Sequence, residues 1–173
     1  FAVGKCLTYW ELVEEKFSLL FTLVAGTTDE WHYPPAQRAF GAIVSTTTRA
    51  EMIAQAAKAF FLHLSPVFHE ELPLYHDLRG LLAAYLGWGQ RRNDIAHGKA
   101  ADTGSTYPDP AFLLIPGMFS TRKRPLEWYP VYEYSVDQLD YFCAEFVALE
   151  KRTEDFTARL DLWRAKPPPR PVE

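Results

Sequence analysis

The residues of this chain best suited to chemistry lie together in Arg91-Arg92-Asn93-Asp94-Ile95-Ala96-His97-Gly98. A guanidinium grips a phosphate through two parallel hydrogen bonds and stabilises charge growing on its oxygens. An imidazole gives and takes protons near neutral pH, and an Asn amide orients either partner. Arg92, Asn93 and His97 are therefore the candidate site, and the chemistry they suit is proton transfer beside a phosphate.

An element must hold these side chains in place. Leu78, Leu81, Leu82, Tyr85, Gly89 and Ala96 recur at helical steps, which predicts a helix over about 74–96. At 100° per residue, Arg92 falls inside the apolar face defined by Leu78, Leu82, Tyr85 and Ala96, and Arg91 falls almost opposite. An arginine on a core stripe is costly to bury unless it is paired or faces a wet groove. Arg91 thus reads as an ordinary surface residue, and Arg92 as one that needs a partner. Asn93 lies at the edge of the same face. His97 closes the helix, and Gly98 is expected to take the left-handed position that often stops one.

The rest of the chain reads as further helices. Leu7, Trp10, Val13, Phe17, Leu20, Phe21 and Val24 predict a helix over about 3–25, ended by Gly26. A second long helix is expected over about 35–64, on the stripe Ala36, Phe40, Ile43, Thr47, Ala50, Ile53, Ala57, Phe60 and Leu64. The β-branched run Thr46-Thr47-Thr48 weakens it locally and allows a break. Ser135 and Gln138 have the spacing of a capping box. They open a last helix carrying Leu139, Phe142, Phe146, Leu149, Phe156, Leu160 and Trp163.

Between the last two long helices, residues 99–134 hold two glycines and five prolines, which forbid a long helix. Two β-prone runs, 112–115 and 128–134, are expected to pair as a small hairpin. An insert of that length in a compact domain tends to be functional. Four long helices and one insert imply an all-α fold, a four-to-five-helix bundle with a small β-hairpin or irregular insert. One domain spans 1–166, and the proline-rich tail 167–173 is an extended end.

Composition removes several classes. Against 22 acids stand 18 Lys and Arg, a net charge of -4 that does not suit a protein coating nucleic acid non-specifically. Cys6 and Cys143 have no Cys or His at metal-ligand spacing and read as free, buried thiols in a reducing compartment. No metal or cofactor is expected. The longest apolar stretch, 17–25, falls far short of the ~20 residues that span a bilayer, so no membrane partner is expected and the localisation reads as cytoplasmic.

Arg92-Asn93-Asp94-Ile95-Ala96-His97, followed by Gly98, resembles the signature of the HEPN superfamily, an Arg followed by a polar residue and then a His. The match covers six to eight residues, and the bundle extends it loosely over the chain. Members are helical bundles, commonly dimeric, in which the motifs of two subunits meet in a cleft. Many are metal-independent endoribonucleases acting as toxins or in defence. The resemblance implies that Arg92 and His97 are catalytic and Asn93 supportive. It also implies RNA as substrate, a homodimer, and an antitoxin or regulatory protein as partner. Some toxin members carry a Tyr two residues after the His as a modification site; here that position is Lys99.

Local charge bears on the same reading. Between 91 and 124 the cations Arg91, Arg92, Lys99, Arg122, Lys123 and Arg124 outnumber Asp94, Asp102 and Asp109 by three. Arg91, Lys99 and Arg122-Lys123-Arg124 are the candidate RNA-binding cations, with Tyr107, Trp128 or Tyr129 as stacking platforms. The same residues have a structural use: Arg92 capping carbonyls of a neighbouring helix, His97 closing its own, and the basic triplet forming a solvated hairpin tip. His32, His63, His69 and His76 are read as non-catalytic, and Glu51 and Lys58 as a solvated helix face. Two functions remain open: a metal-independent ribonuclease, and a non-catalytic HEPN-like dimeric module that binds nucleotides or another protein.

Overall fold

The computed structural model describes residues 1–27, 33–64, 73–102, 112–116 and 133–164. These residues form an all-α bundle with a small β insert. The helices are α1 (Ala2–Val24), α2 (Tyr33–Gly41), α3 (Thr46–Leu64), α4 (Pro73–Ala96) and α5 (Val136–Arg164), with strands β1 (Lys99–Asp102) and β2 (Phe112–Ile115) between the last two.

Local chemistry accounts for the helix boundaries. Gly26 stands at φ 85°, a region L side chains rarely adopt. With it, the Gly26 amide bonds to the Leu23 carbonyl and the Thr27 amide to that of Thr22, so α1 closes in a Schellman turn. At the start of α5, the Ser135 amide donates to Gln138 Oε1 at 2.9 Å and the Gln138 amide to Ser135 Oγ at 3.2 Å. That is the expected capping box.

The helix expected over 35–64 is two helices. Chain 42–45 leaves helical geometry, and Ser45 Oγ accepts the Thr48 amide at 3.3 Å to start α3 afresh. The break is held open by Arg49, which donates to the carbonyls of Ile43 (2.7 Å) and Gly41 (3.3 Å). The hairpin also differs from expectation. Phe112–Ile115 pairs antiparallel with Lys99–Asp102, in the register Lys99 opposite Ile115. From the expected partner run, Tyr134 makes a single bridge to Leu114, with both amide-to-carbonyl bonds at 2.9 Å; residues 128–132 lie outside the described residues. The tail 167–173 lies outside them as well.

The chain divides into two compact units: Phe1–Leu12 with Gly87–Ala148, and Val13–Leu86 with Leu149–Glu173. In the first, Trp10 meets Phe146 edge-on at 5.2 Å, and Phe142 meets Tyr134 at 5.0 Å. Cys6 and Cys143 are both free and buried. The Cys6 thiol donates to the Leu139 carbonyl at 3.1 Å. Burial, and then the hydrogen-bonded thiol of Cys143, push Cys6 up to about 12. In the second unit, Phe17 stacks on Tyr85 at 4.1 Å, among buried Leu20, Ile53, Phe61 and Leu78. Fully burying each such side chain contributes about 1.5–3 kcal/mol. No helix among the described residues is long and apolar enough to cross a membrane.

Candidate functional site

The last turns of α4 carry the motif. The His97 amide bonds to the Asn93 carbonyl at 3.0 Å and the Gly98 amide to that of Ile95 at 3.4 Å, so the helix tightens as it ends. Gly98 does not use the left-handed conformation expected for it; among the described residues only Gly26 has a positive φ. Its reason is space. A Cβ at Gly98 would lie 2.8 Å from Leu114 Cδ1 and 2.9 Å from the Asp94 carbonyl oxygen. Leu114 of β2 thus packs directly on the helix end, which any side chain at 98 would push away.

The two arginines behave differently from the sequence expectation. Arg91, read as an ordinary surface residue, is the firmly paired one. Its Nη1 donates to Tyr134 Oη at 2.9 Å and to Asp94 Oδ2 at 3.3 Å. The Tyr134 hydroxyl in turn donates to the same Asp94 oxygen at 3.0 Å. Asp94 is only 5% exposed. Burial, and then the Asp94 carboxylate, push the Tyr134 phenol well above its usual range, so it stays a donor. Burial alone would pull Arg91 down, but Tyr134 and Asp94 outweigh it and keep the guanidinium charged.

Arg92 is half-buried, whereas Ala96, expected on the same apolar face, is exposed. Its Nη1 donates to Asn93 Oδ1 at 3.2 Å, and Nη2 stands 3.9 Å from Glu11 Oε1 on α1. The side chains of Arg92 and Glu11 are 33% and 70% exposed. A pair so exposed and so long contributes at most about 1 kcal/mol. Arg92 Nε is buried and has no hydrogen-bond partner among the described residues. The guanidinium is therefore buried at its root and loosely held at its tip.

Asn93, on the last turn of α4, and His97, just past the helix end, are both exposed. The structure brings Arg92 and Asn93 together; among the described residues no hydrogen bond or ion pair joins the His97 imidazole to either. Lys99 is exposed on β1. Arg122, Lys123 and Arg124, with Tyr107, Trp128 and Tyr129, lie outside the described residues. So do His32 and His69, while His76 is exposed on α4.

Sequence reasoning missed Asp94, Tyr134 and Glu11. Asp94 stands three residues after Arg91, the spacing of a helical ion pair, and that signal was readable. Nothing in the sequence marks Tyr134 or Glu11 as neighbours of the motif. No protein-family model, no curated protein and no solved structure matches the chain.

Proposed function

We propose that this protein is a metal-independent endoribonuclease of HEPN type, a cytoplasmic toxin or defence effector working as a homodimer. The observation that supports it is the Arg92–Asn93 pair, with its guanidinium tip loosely held beside solvent, on the helix end that carries exposed His97.

In this reading the RNA 2′-hydroxyl attacks the adjacent phosphorus and the 5′-oxygen departs, leaving a cyclic phosphate and a free 5′-hydroxyl. Arg92 holds the phosphate and stabilises the charge on its oxygens. Asn93 steadies the guanidinium. His97 moves a proton, taking it from the nucleophile or giving it to the leaving oxygen. One imidazole does not serve both ends of a single step, so two copies of the chain bring two His97 residues to one phosphate. Arg91 is assigned to holding Asp94 and Tyr134, and Lys99 to steering RNA backbone.

The second reading is a non-catalytic HEPN-like dimer that binds nucleotides, or a protein such as an antitoxin or regulator. The missing contact between His97 and the Arg92–Asn93 pair favours it. Cleavage of a mixed RNA pool in EDTA separates the two. Wild type should leave cyclic-phosphate ends, and Arg92→Ala and His97→Ala, each verified as folded, should lose at least 100-fold in rate, on the order expected for electrostatic and proton-transfer groups. Intact RNA with wild type, or equal cleavage by all three proteins, decides for the binding module.

A further inference from the structure

Both arginines of the motif have a carboxylate for a neighbour. Arg91 is held by Asp94, and Arg92 stands beside Glu11. Arg91 Nη1 is already shared between Asp94 and Tyr134. That leaves Arg92 as the guanidinium with a loosely held tip, and its outer nitrogen faces Glu11 at 3.9 Å, beyond hydrogen-bond reach.

We infer that Glu11 is a specificity residue of this site. It lets Arg92 take an internal phosphodiester, with one negative charge, and turns away terminal phosphomonoesters, which carry two. The inference rests on the reading of Arg92 as the phosphate-holding group. A lone guanidinium attracts a dianion more strongly than a monoanion. With a carboxylate a few ångströms away, attraction and repulsion cancel to first order, so the second charge gains nothing. The dianion still carries the larger dehydration cost. A monoanionic diester can instead rely on its hydrogen bonds to Arg92 and Asn93. Such a site works within a strand rather than at a phosphorylated end and is insensitive to inorganic phosphate.

The test uses binding, so it stands apart from cleavage. Thymidylyl-(3′→5′)-thymidine has one diester and no 2′-hydroxyl, so the proposed reaction has no nucleophile in it. Thymidine 3′-phosphate supplies the dianion at pH 8, since its second ionisation lies near pH 6, about the value for phosphomonoesters. Each is titrated at low salt into the full chain, following the amide signals of Asn93, His97 and Gly98. Wild type should prefer the diester. Glu11→Gln, at an exposed position, should tighten the monoester by about five- to ten-fold and the diester by only about two- to three-fold, since the Coulomb energy scales with ligand charge. Arg92→Ala should lose both. At pH 5, where the monoester carries one charge, the effect of Glu11→Gln on it should fall to that on the diester. A wild type that prefers the monoester, a Glu11→Gln variant that shifts both probes equally or neither, or motif signals unmoved by either probe would each overturn the inference. The charge switch without RNA cleavage sinks the ribonuclease reading alone; cleavage without the switch sinks this inference alone.

Discussion

Each of the two units contains an arginine, a carboxylate and a tyrosine in mutual contact, and the two clusters differ in what surrounds them. In the Val13–Leu86 unit, Arg49 Nη1 pairs with Glu14 Oε2, which also accepts the Tyr85 hydroxyl at 2.7 Å. Arg49 further holds the Gly41 and Ile43 carbonyls, and its guanidinium lies 5.3 Å from the Phe40 ring centroid. Each nitrogen of that guanidinium has an acceptor, and the cluster is a structural strut across α1, α3 and α4. In the Gly87–Ala148 unit, Arg91, Asp94 and Tyr134 repeat the pattern, but a second arginine follows directly. Arg92 has an orphaned Nε and a tip held by one neighbouring amide. A guanidinium with all partners supplied by its own chain has a structural role; one with partners missing is available to a ligand.

The strongest way to break this comparison is to remove the carboxylate from each cluster. Glu14→Ala strands Arg49, whose side chain is only 16% exposed, and should cost about 3 kcal/mol of unfolding free energy. Asp94→Ala strands Arg91, which at 33% exposure can turn to water, so a loss of about 2 kcal/mol is expected. Urea titrations of both variants give the order; a larger loss for Asp94→Ala would reverse the roles assigned to the two clusters.

Raising the pH tests both tyrosines together with Cys6. Burial, and then a neighbouring carboxylate, push Tyr85 and Tyr134 upward. Cys6 is pushed up from 9.0 to about 12 by burial and then by Cys143. A group whose pKa is higher in the folded state keeps its full contribution below its unfolded pKa and loses it as pH rises further. Stability should therefore hold up to about pH 9, fall as Cys6 and then the tyrosines are forced towards ionisation, and fall less steeply in Tyr134→Phe. Unfolding midpoints at pH 8 and pH 10.5 read this directly. A flat profile contradicts the buried, donor-only state assigned to these groups.

The smallest effect is expected at Arg92. Arg92→Ala removes a weak ion pair and an unsatisfied buried nitrogen, two changes of opposite sign, so stability should change by less than about 0.5 kcal/mol. A melting curve superimposed on wild type fits an arginine kept for a ligand. A loss of about 2 kcal/mol would make it a strut like Arg49.

Much of this protein was determined by local sequence. The helical steps of apolar residues set α1, α4 and α5, Gly26 stopped α1, and Ser135 with Gln138 capped α5, because periodicity and capping act within a few residues. The motif and its place at the end of α4 were legible in the same way. What only the tertiary structure decided came from residues far apart in the chain. By its position on α4, Asp94 belongs to the solvent side, at right angles or more from the apolar stripe. It is buried because Tyr134, forty residues later, is carried over it by the bridge to Leu114. That contact made Arg91 the paired arginine and left Arg92 the loosely held one, and Leu114 gave Gly98 its reason. Arg49 likewise stabilised the turn at 42–45 that divides α2 from α3, just before the run Thr46-Thr47-Thr48, which is itself helical. Helical phase places a side chain on a face, but burial and pairing depend on which distant segment covers that face, and that is a property of the packed chain.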